Sequence, residues 1–165
     1  PVYLLSEMTR QHVTVSLSGD GGDELFSGYS RYEFADRVWP RLSSLPRWVR
    51  RPASAGVKAL SPETLDQIAG WTRGRSRIAR AGDRLHKFAD VASAGDVAEA
   101  YEALTCQWAG AERIVHHAAR HEPWSLDRAG ARSFSAVRQM MLADAAGYLP
   151  DDVLTKVDRA AMAVS

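Results

Sequence analysis

The chain is poor in cysteine: Cys106 is the only one among its 165 residues. A single cysteine excludes an internal disulfide framework, which is typical of proteins that work in a reducing cytoplasm. We therefore expect a cytoplasmic protein. The segment around this residue, LTCQWAG, has helical and apolar character. We expect Cys106 to be a small buried residue rather than a nucleophile.

Long hydrophobic runs and an excess of one charge are also missing. No window approaches the roughly 20 apolar residues of a membrane-spanning helix, and the opening PVYLLSEMTRQ does not resemble a signal peptide. Lys and Arg total 21 against 20 Asp and Glu, a formal net charge of +1. We therefore predict neither a membrane nor a nucleic-acid partner. One local basic cluster is expected to form a solvated helix face; it consists of Arg47, Arg50, Arg51 and Lys58.

Signals for β-strands are scarce. In HVTVSL, residues 12–17, apolar Val13, Val15 and Leu17 alternate with polar residues, a pattern that predicts one short strand near the N-terminus. The remainder predicts a predominantly α-helical chain. Because a lone strand is not stable without neighbours, and because both ends fall inside helical patterns, we expect a fragment of a longer α/β fold.

Helix boundaries can be predicted at several positions. We expect a helix over residues 24–38, ended at Trp39-Pro40. Asp96 is the predicted N-cap of VAEAYEALTCQWA, and Ser133 that of a helix over residues 134–146. A final helix is expected to open at Pro150, with acidic residues in its first turn.

Between the predicted strand and the helix after it lies the loop SGDGGDE, residues 18–24. In open α/β folds, ligands bind beyond the carboxyl ends of strands, where such loops lie. Gly19, Gly21 and Gly22 would allow positive φ angles and a close approach of ligand to main chain. Ser18 adds a hydroxyl donor. Successive backbone N–H groups at a helix N-terminus can bind an anion.

Acidic residues in the same loop complicate that interpretation, since Asp20, Asp23 and Glu24 would repel bare phosphate. A magnesium ion removes the conflict, because Mg²⁺ is typically bound by one or two carboxylates plus substrate phosphates. The loop therefore suggests a nucleotide–Mg²⁺ site. It is not a Walker loop, a GxGxxG loop or an EF-hand. The alternative is an ordinary tight turn in which Asp20 or Asp23 caps the next helix.

Two long motifs resemble those of the glutamine-hydrolysing asparagine synthetases. LSGDGGDELFSGYSRY is similar to their LSGDGGDELFGGYxRY signature, and YLPDDVLTKVDRAAMAVS is similar to their YLPDDILxKVDRxSMAxS segment. The opening PVYLLSEMTRQHVTV resembles the family's lead-in. Ser27 and Ala161 depart from the family pattern, which usually has Gly and often Ser there.

This resemblance implies a Rossmann-like ATP-pyrophosphatase fold with a helical extension. It also implies a ligase that activates the side-chain carboxylate of aspartate with Mg²⁺ and ATP, forming β-aspartyl-AMP and pyrophosphate. Ammonia, released from glutamine by a glutaminase domain on the same parent chain, then attacks the adenylate. A homodimer is compatible with this interpretation.

The resemblance also implies roles for individual residues. Ser18 and Gly19, with Gly21 and Gly22, would contact the nucleotide, and Asp23 would bind Mg²⁺. Asp20 would face the aspartyl intermediate, and Asp158 would orient a catalytic lysine further along the parent chain. Glu24 is expected to cap or pair at the start of the helix rather than to bind a ligand.

We expect residues 1–165 to be a fragment of one such domain: residues 1–38 with the nucleotide loop, a helical insert over 39–132, and helices over 133–165. The family's SGGxDS loop, glutaminase cysteine and catalytic lysine are not in this sequence, so the fragment is expected to be inactive alone. Two alternatives remain open: an amidotransferase acting on another carboxylate, of a surface sugar or a peptide, or a non-catalytic helical interaction module.

Overall fold

A computed structural model describes residues 1–72, 81–106 and 130–164. The chain divides into two compact units, Pro1–Asp36 with Leu126–Ser165, and Arg37–Ser125. The α-helices are α1 (Val2–Arg10), α2 (Gly22–Phe26), α3 (Ser30–Arg37), α4 (Trp39–Ser43), α5 (Arg47–Lys58), α6 (Pro62–Thr72), α7 (Ala81–Ser93), α8 (Val97–Thr105), α9 (Ala136–Ala143) and α10 (Thr155–Met162). A 3₁₀ turn covers Ala131–Ser133, and a π-helical segment covers Asp144–Leu154.

The first unit is built around the π-helical segment, which packs against α2, α9 and α10, while α10 also packs against α1. Its buried apolar side chains include Tyr32 and Met140. Pro150 lies inside the π-helical segment. Proline has no backbone N–H and its ring crowds the preceding turn, so a wider turn than that of an α-helix is accommodated there.

The predicted strand over residues 12–17 is not present, and no β-strand occurs in the described parts of the chain. These residues form an irregular segment with exposed apolar side chains: Val15 is 80% and Leu17 is 99% exposed. The alternating pattern is real, but a strand requires a hydrogen-bonded neighbour, and the described residues supply none. The prediction of a predominantly helical chain is confirmed.

The single helix predicted over residues 24–38 is instead two helices, α2 and α3. Ser27 ends α2 in the left-handed region, at φ 63°, a conformation that interrupts helix propagation. A further short helix, α4, begins at Trp39, so Trp39-Pro40 starts a helix rather than ending one. Proline at the second position of α4 costs no hydrogen bond, because first-turn N–H groups lack intrahelical partners.

The predicted cap at Ser133 was also wrong, by two residues. The hydroxyl of Ser135 accepts a hydrogen bond from the Arg138 amide, and α9 begins at Ala136. Ser133 lies in the 3₁₀ turn. The final helix does not open at Pro150 but at Thr155, since the π-helical segment continues to Leu154.

In the second unit, α7 packs against α5, α6 and α8. The predicted N-cap at Asp96 is confirmed, because its carboxylate accepts a hydrogen bond of 2.9 Å from the Glu99 amide. Glu99 in turn accepts one of 2.6 Å from the Gly95 amide. The two acids therefore satisfy neighbouring backbone donors at the start of α8.

The basic cluster is not wholly a solvated face, since Arg50 is only 5% exposed. Its guanidinium donates to the carbonyls of Leu45, Ala92 and Ala94, at 2.9, 3.0 and 2.8 Å. Two of these carbonyls lie at the C-terminus of α7, where a cation satisfies otherwise unpaired acceptors.

Cys106 is exposed, which corrects the expectation of burial. Helix α8 ends at Thr105 and the chain becomes extended at Cys106, so this residue no longer belongs to the apolar face of a helix. Among the described residues, no helix is both long and apolar enough to cross a membrane.

Candidate functional site

The loop between α1 and α2 is a tight turn centred on Gly21. This residue is buried, has φ +87° and ψ −6°, and precedes the first residue of α2. The amide of Gly22 donates to the carbonyl of Gly19 at 3.1 Å. A side chain at position 21 would be strained by the positive φ and would lie 3.3 Å from Cδ1 of Leu149. Glycine is therefore needed here for both backbone and packing reasons.

Neither acid of the alternative interpretation caps α2. No side-chain oxygen accepts a hydrogen bond at its N-terminus, so the predicted capping by Asp20 or Asp23 is wrong. The Asp20 carboxylate instead accepts a 2.6 Å hydrogen bond from the Ser18 hydroxyl. Both carboxylates are exposed, and with five residues α2 can contribute little of a helix dipole to anion binding.

The Asp23 side chain folds back over Gly28. A Cβ atom built at position 28 would overlap Oδ1 of Asp23 and lie 2.8 Å from its Cγ. The amide of Gly28 donates to the main-chain carbonyl of Asp23 at 2.9 Å. The carboxylate of Asp23, the predicted metal ligand, therefore occupies space that a side chain at position 28 would fill.

Glu24 is buried, with 2% of its surface exposed. The Tyr29 hydroxyl donates to its Oε1 at 2.6 Å. Burial, followed by this hydrogen bond and the negative charge of Glu24, raises the pKa of Tyr29 above its usual value, so the hydroxyl remains a donor at neutral pH. Glu24 is paired within the protein, as expected.

A second buried carboxylate, Asp144, lies at the first position of the π-helical segment and is fully buried. Arg31 binds it through two parallel hydrogen bonds, Nε to Oδ2 at 2.9 Å and Nη2 to Oδ1 at 2.8 Å. The Tyr32 hydroxyl donates to Oδ2 as well. This bidentate geometry is the strong form of an arginine–carboxylate pair.

Aromatic rings surround the Arg31 guanidinium. Its central carbon lies 3.8 Å from the centroid of the Tyr29 ring and 5.5 Å from that of Tyr148. The Tyr29 and Tyr148 rings contact edge to face, with centroids 6.2 Å apart. Cation–π attraction adds to the ion pair in such an arrangement, so α3 and the π-helical segment are joined by charge and by aromatic packing.

Asp158 is placed apart from these contacts. It is exposed on α10 and forms no hydrogen bond or ion pair with any described residue. Two residues before Asp158, Lys156 pairs with Asp152, and this hydrogen bond raises the pKa of the lysine. The described residues contain no cluster of three metal-ligating side chains. The sequence HHAARH brings His116, His117 and His121 close together in the chain; the sequence predicts a solvated helix face there, and these residues lie outside the described ranges.

Sequence reasoning missed the group formed by Tyr29, Arg31, Tyr32 and Asp144. A signal for Asp144 was present, because a charged residue stands in the apolar helical stretch MMLADAAG. A charge on the buried side of a helix needs a partner. That this partner is Arg31, 113 positions away, could not be predicted from sequence spacing.

The sequence model of the asparagine synthase family matches residues 1–165. The chain belongs to this family. A putative asparagine synthetase [glutamine-hydrolyzing] of Mycobacterium tuberculosis H37Rv is 29% identical over 169 residues, covering all of this chain and 23% of the relative. Asparagine synthetase [glutamine-hydrolyzing] 1 of Bacillus subtilis is 34% identical over 80 residues, covering 48% of this chain and 11% of the relative.

A third asparagine synthase homologue, putative asparagine synthetase [glutamine-hydrolyzing] 2 of Methanocaldococcus jannaschii, is 48% identical over 50 residues, 30% of this chain and 10% of the relative. The chain thus spans less than a quarter of the length of these relatives. No solved structure gives a significant match.

The loop fits a nucleotide–magnesium group on chemical grounds. Asp20 and Asp23 are exposed carboxylates that form no ion pair with a described residue, and oxygen ligands of this kind suit Mg²⁺. The main chain beside them is open, since a Cβ atom at Gly19 or Gly22 would meet nothing within 4 Å. A phosphate could therefore approach these backbone groups closely.

Proposed function

We propose that the chain is part of the synthetase domain of an asparagine synthetase, which forms an amide on the side chain of aspartate at the expense of ATP. The observation that carries this proposal is the loop Ser18–Glu24. It combines open glycine main chain with two exposed carboxylates that form no ion pair with a described residue, inside a chain that belongs to the asparagine synthase family.

In this proposal the loop residues divide the work. Gly19 and Gly22 present open main chain to the nucleotide, and Gly21 supplies the left-handed turn between them. The Ser18 hydroxyl, beside the nucleotide, also fixes the direction of the Asp20 carboxylate. Asp23 would hold Mg²⁺, which when bound neutralises phosphate charge and makes pyrophosphate a better leaving group. Asp20, beside the open main chain, would face the aspartyl group and accept a proton during attack by ammonia.

Asp158 would act through a residue further along the parent polypeptide. Its exposed carboxylate on α10 is available to orient a cationic catalytic side chain, such as lysine. We assign the whole parent an α/β ATP-pyrophosphatase fold, a cytoplasmic location and a glutaminase domain that supplies ammonia. Aspartate is the proposed acceptor because the relatives are named asparagine synthetases.

The proposal can be tested by aspartate-dependent exchange of labelled pyrophosphate into ATP, measured on the complete gene product with Mg²⁺. Wild-type protein should exchange label only when aspartate is present. Asp23→Ala should reduce the rate by about 100-fold or more, since loss of a metal ligand removes several kcal/mol of charge stabilisation. Asp36→Ala, which removes an exposed carboxylate from α3, is the matched control and should leave the rate unchanged.

Each departure from these results has a definite meaning. Normal exchange in Asp23→Ala would refute the metal assignment. Exchange that depends on the carboxylate of a surface sugar or of a peptide instead of aspartate would assign the chain to an amidotransferase with another acceptor. Absence of exchange with every acceptor would favour a non-catalytic helical module.

A further inference from the structure

Two buried carboxylates and one arginine connect the loop Ser18–Glu24 to the π-helical segment Asp144–Leu154. Glu24 follows Asp23 directly in α2, and Asp144 opens the π-helical segment. Both are at most 2% exposed. A buried carboxylate without partners is costly, so the groups that hydrogen-bond these two acids fix where their elements lie.

Tyr29 contacts both Glu24 and Arg31, the partner of Asp144. Its hydroxyl donates to Glu24, and its ring lies under the Arg31 guanidinium that grips Asp144. A short charge-assisted hydrogen bond constrains direction as well as distance. Movement of Glu24 therefore requires either loss of this bond or movement of the Tyr29 ring away from Arg31.

A separate contact holds the same two elements together on the glycine side of the loop. Leu149 of the π-helical segment packs against Gly21, whose left-handed backbone begins α2. The loop is thus attached to the segment at Gly21 by packing and at Glu24 by hydrogen bonds. Asp23 lies between the two attachment points.

We propose that Tyr29 is a positioning residue for Asp23: its hydroxyl holds Glu24 while its ring packs against Arg31 of the Arg31–Asp144 pair. Tyr29 thereby fixes the Asp23 carboxylate, the proposed metal ligand, relative to the π-helical segment. This inference rests on the proposed function in so far as Asp23 binds Mg²⁺. Tyr29 itself does not touch substrate or metal. It acts through the orientation of α2.

Tyr29→Phe tests this inference, since it removes the hydroxyl and keeps the ring beneath Arg31. Amide hydrogen exchange should accelerate about threefold to tenfold at residues 21–26, the loss of one net hydrogen bond. Amide hydrogen exchange in α5 and α7 of the other unit should not change.

The second measurement is the Mg²⁺ dependence of pyrophosphate exchange in the complete gene product. The half-saturating Mg²⁺ concentration should rise by a similar factor, with the rate of pyrophosphate exchange at saturating Mg²⁺ within about twofold of wild type.

Tyr148→Phe is the matched control. It removes a hydroxyl from another of the tyrosine rings beside Arg31, and that hydroxyl makes no hydrogen bond with a described residue. We expect wild-type exchange at residues 21–26 and an unchanged Mg²⁺ requirement. Asp144→Asn serves as a second variant if Tyr29→Phe does not fold; it keeps the shape of Asp144 and weakens its pairing with Arg31, and it should act in the same direction as Tyr29→Phe.

The inference is overturned if Tyr29→Phe behaves like Tyr148→Phe in both measurements. It is also overturned if amide hydrogen exchange accelerates equally in both units, because that result describes a general loss of stability. The same holds if only the rate of pyrophosphate exchange at saturating Mg²⁺ falls. Failure of the proposed function looks different: wild type would show no Mg²⁺-dependent exchange of pyrophosphate, while the hydrogen-exchange comparison would still decide whether Tyr29 holds α2.

Discussion

Gly28 leaves the space that the Asp23 carboxylate occupies. Its φ is not in the left-handed region, so an alanine there meets no backbone strain, and the objection to it is purely one of volume. The added methyl group would overlap Asp23 Oδ1. Such an overlap is relieved most easily by rotating the acid away.

Gly28→Ala is therefore expected to raise the half-saturating Mg²⁺ concentration about tenfold or more, since misplacing a ligand by an ångström commonly costs that much. The measurement is the Mg²⁺ dependence of pyrophosphate exchange in the complete gene product. Gly56→Ala is the control, because a Cβ atom at that position in α5 meets nothing within 4 Å. An unchanged Mg²⁺ requirement in Gly28→Ala would show that the Asp23 orientation has no bearing on metal binding.

Arg31 and Arg50 show why residue type alone predicts surface charge poorly. Both belong to groups of polar residues, and both direct their guanidinium groups inward, Arg31 to a carboxylate and Arg50 to three carbonyls. Planar guanidinium donors can satisfy several acceptors at once. The inward direction of these two side chains depends largely on acceptors from distant positions, Asp144 for Arg31 and Ala92 and Ala94 for Arg50.

At the scale of the element, α8 illustrates a helix whose beginning was readable. Asp96 and Glu99 have the spacing of a capping box, and the structure pairs them with the amides of Glu99 and Gly95. Local hydrogen bonds of this kind need no tertiary partner. The N-terminus of α8 was therefore predicted correctly. The cap of α9 was placed at Ser133, two residues before the true cap, Ser135.

Asp96→Ala should lower the free energy of unfolding by about 1 kcal/mol, the usual loss for an N-cap acceptor. Asp96→Asn retains an acceptor oxygen and should cost only a few tenths of that amount. Urea unfolding of the 165-residue chain, followed by circular dichroism, measures both. Equal stabilities of the two variants would contradict a capping role for the side chain.

Helix α2 and the π-helical segment were the elements that patterns described least well. The left-handed Ser27 divides what looked like one helix, and Pro150 lies within the π-helical segment rather than at a helix start. Period-3.6 patterns report which face is apolar, but they do not distinguish an α-turn from a wider one. Such boundaries depend on hydrogen bonds that cannot be counted from sequence.

At the scale of the whole molecule, the irregular segment at residues 12–17 leaves its apolar side chains in solvent, with Leu17 at 99% exposure. The chain spans less than a quarter of its matched relatives, and its own sequence contains no SGGxDS loop. We propose that this loop, in the remainder of the parent chain, binds pyrophosphate. Residues 1–165 would then provide one side of the nucleotide site.

Calorimetric titration of the isolated 165-residue chain with Mg-ATP should accordingly show no saturable binding at micromolar concentrations. The complete gene product should bind under the same conditions, because both sides of the site are then present. The expected difference is about 100-fold or more in Kd, of the order lost when a phosphate's charge-assisted hydrogen bonds are absent. Micromolar binding by the isolated chain would refute a site divided between two loops.

The sequence by itself determined the family, the helical character and the position of the Ser18–Glu24 loop, because motif spacing and local hydrogen-bonding chemistry are written in consecutive residues. The expected repulsion between a bound phosphate and the carboxylates of Asp20 and Asp23 was also visible there. Only the tertiary structure decided that Glu24 is buried against Tyr29, that Arg31 reaches Asp144, and that Gly28 borders Asp23. Those contacts join residues through space, and burial makes them strong; neither property is carried by any single stretch of the chain.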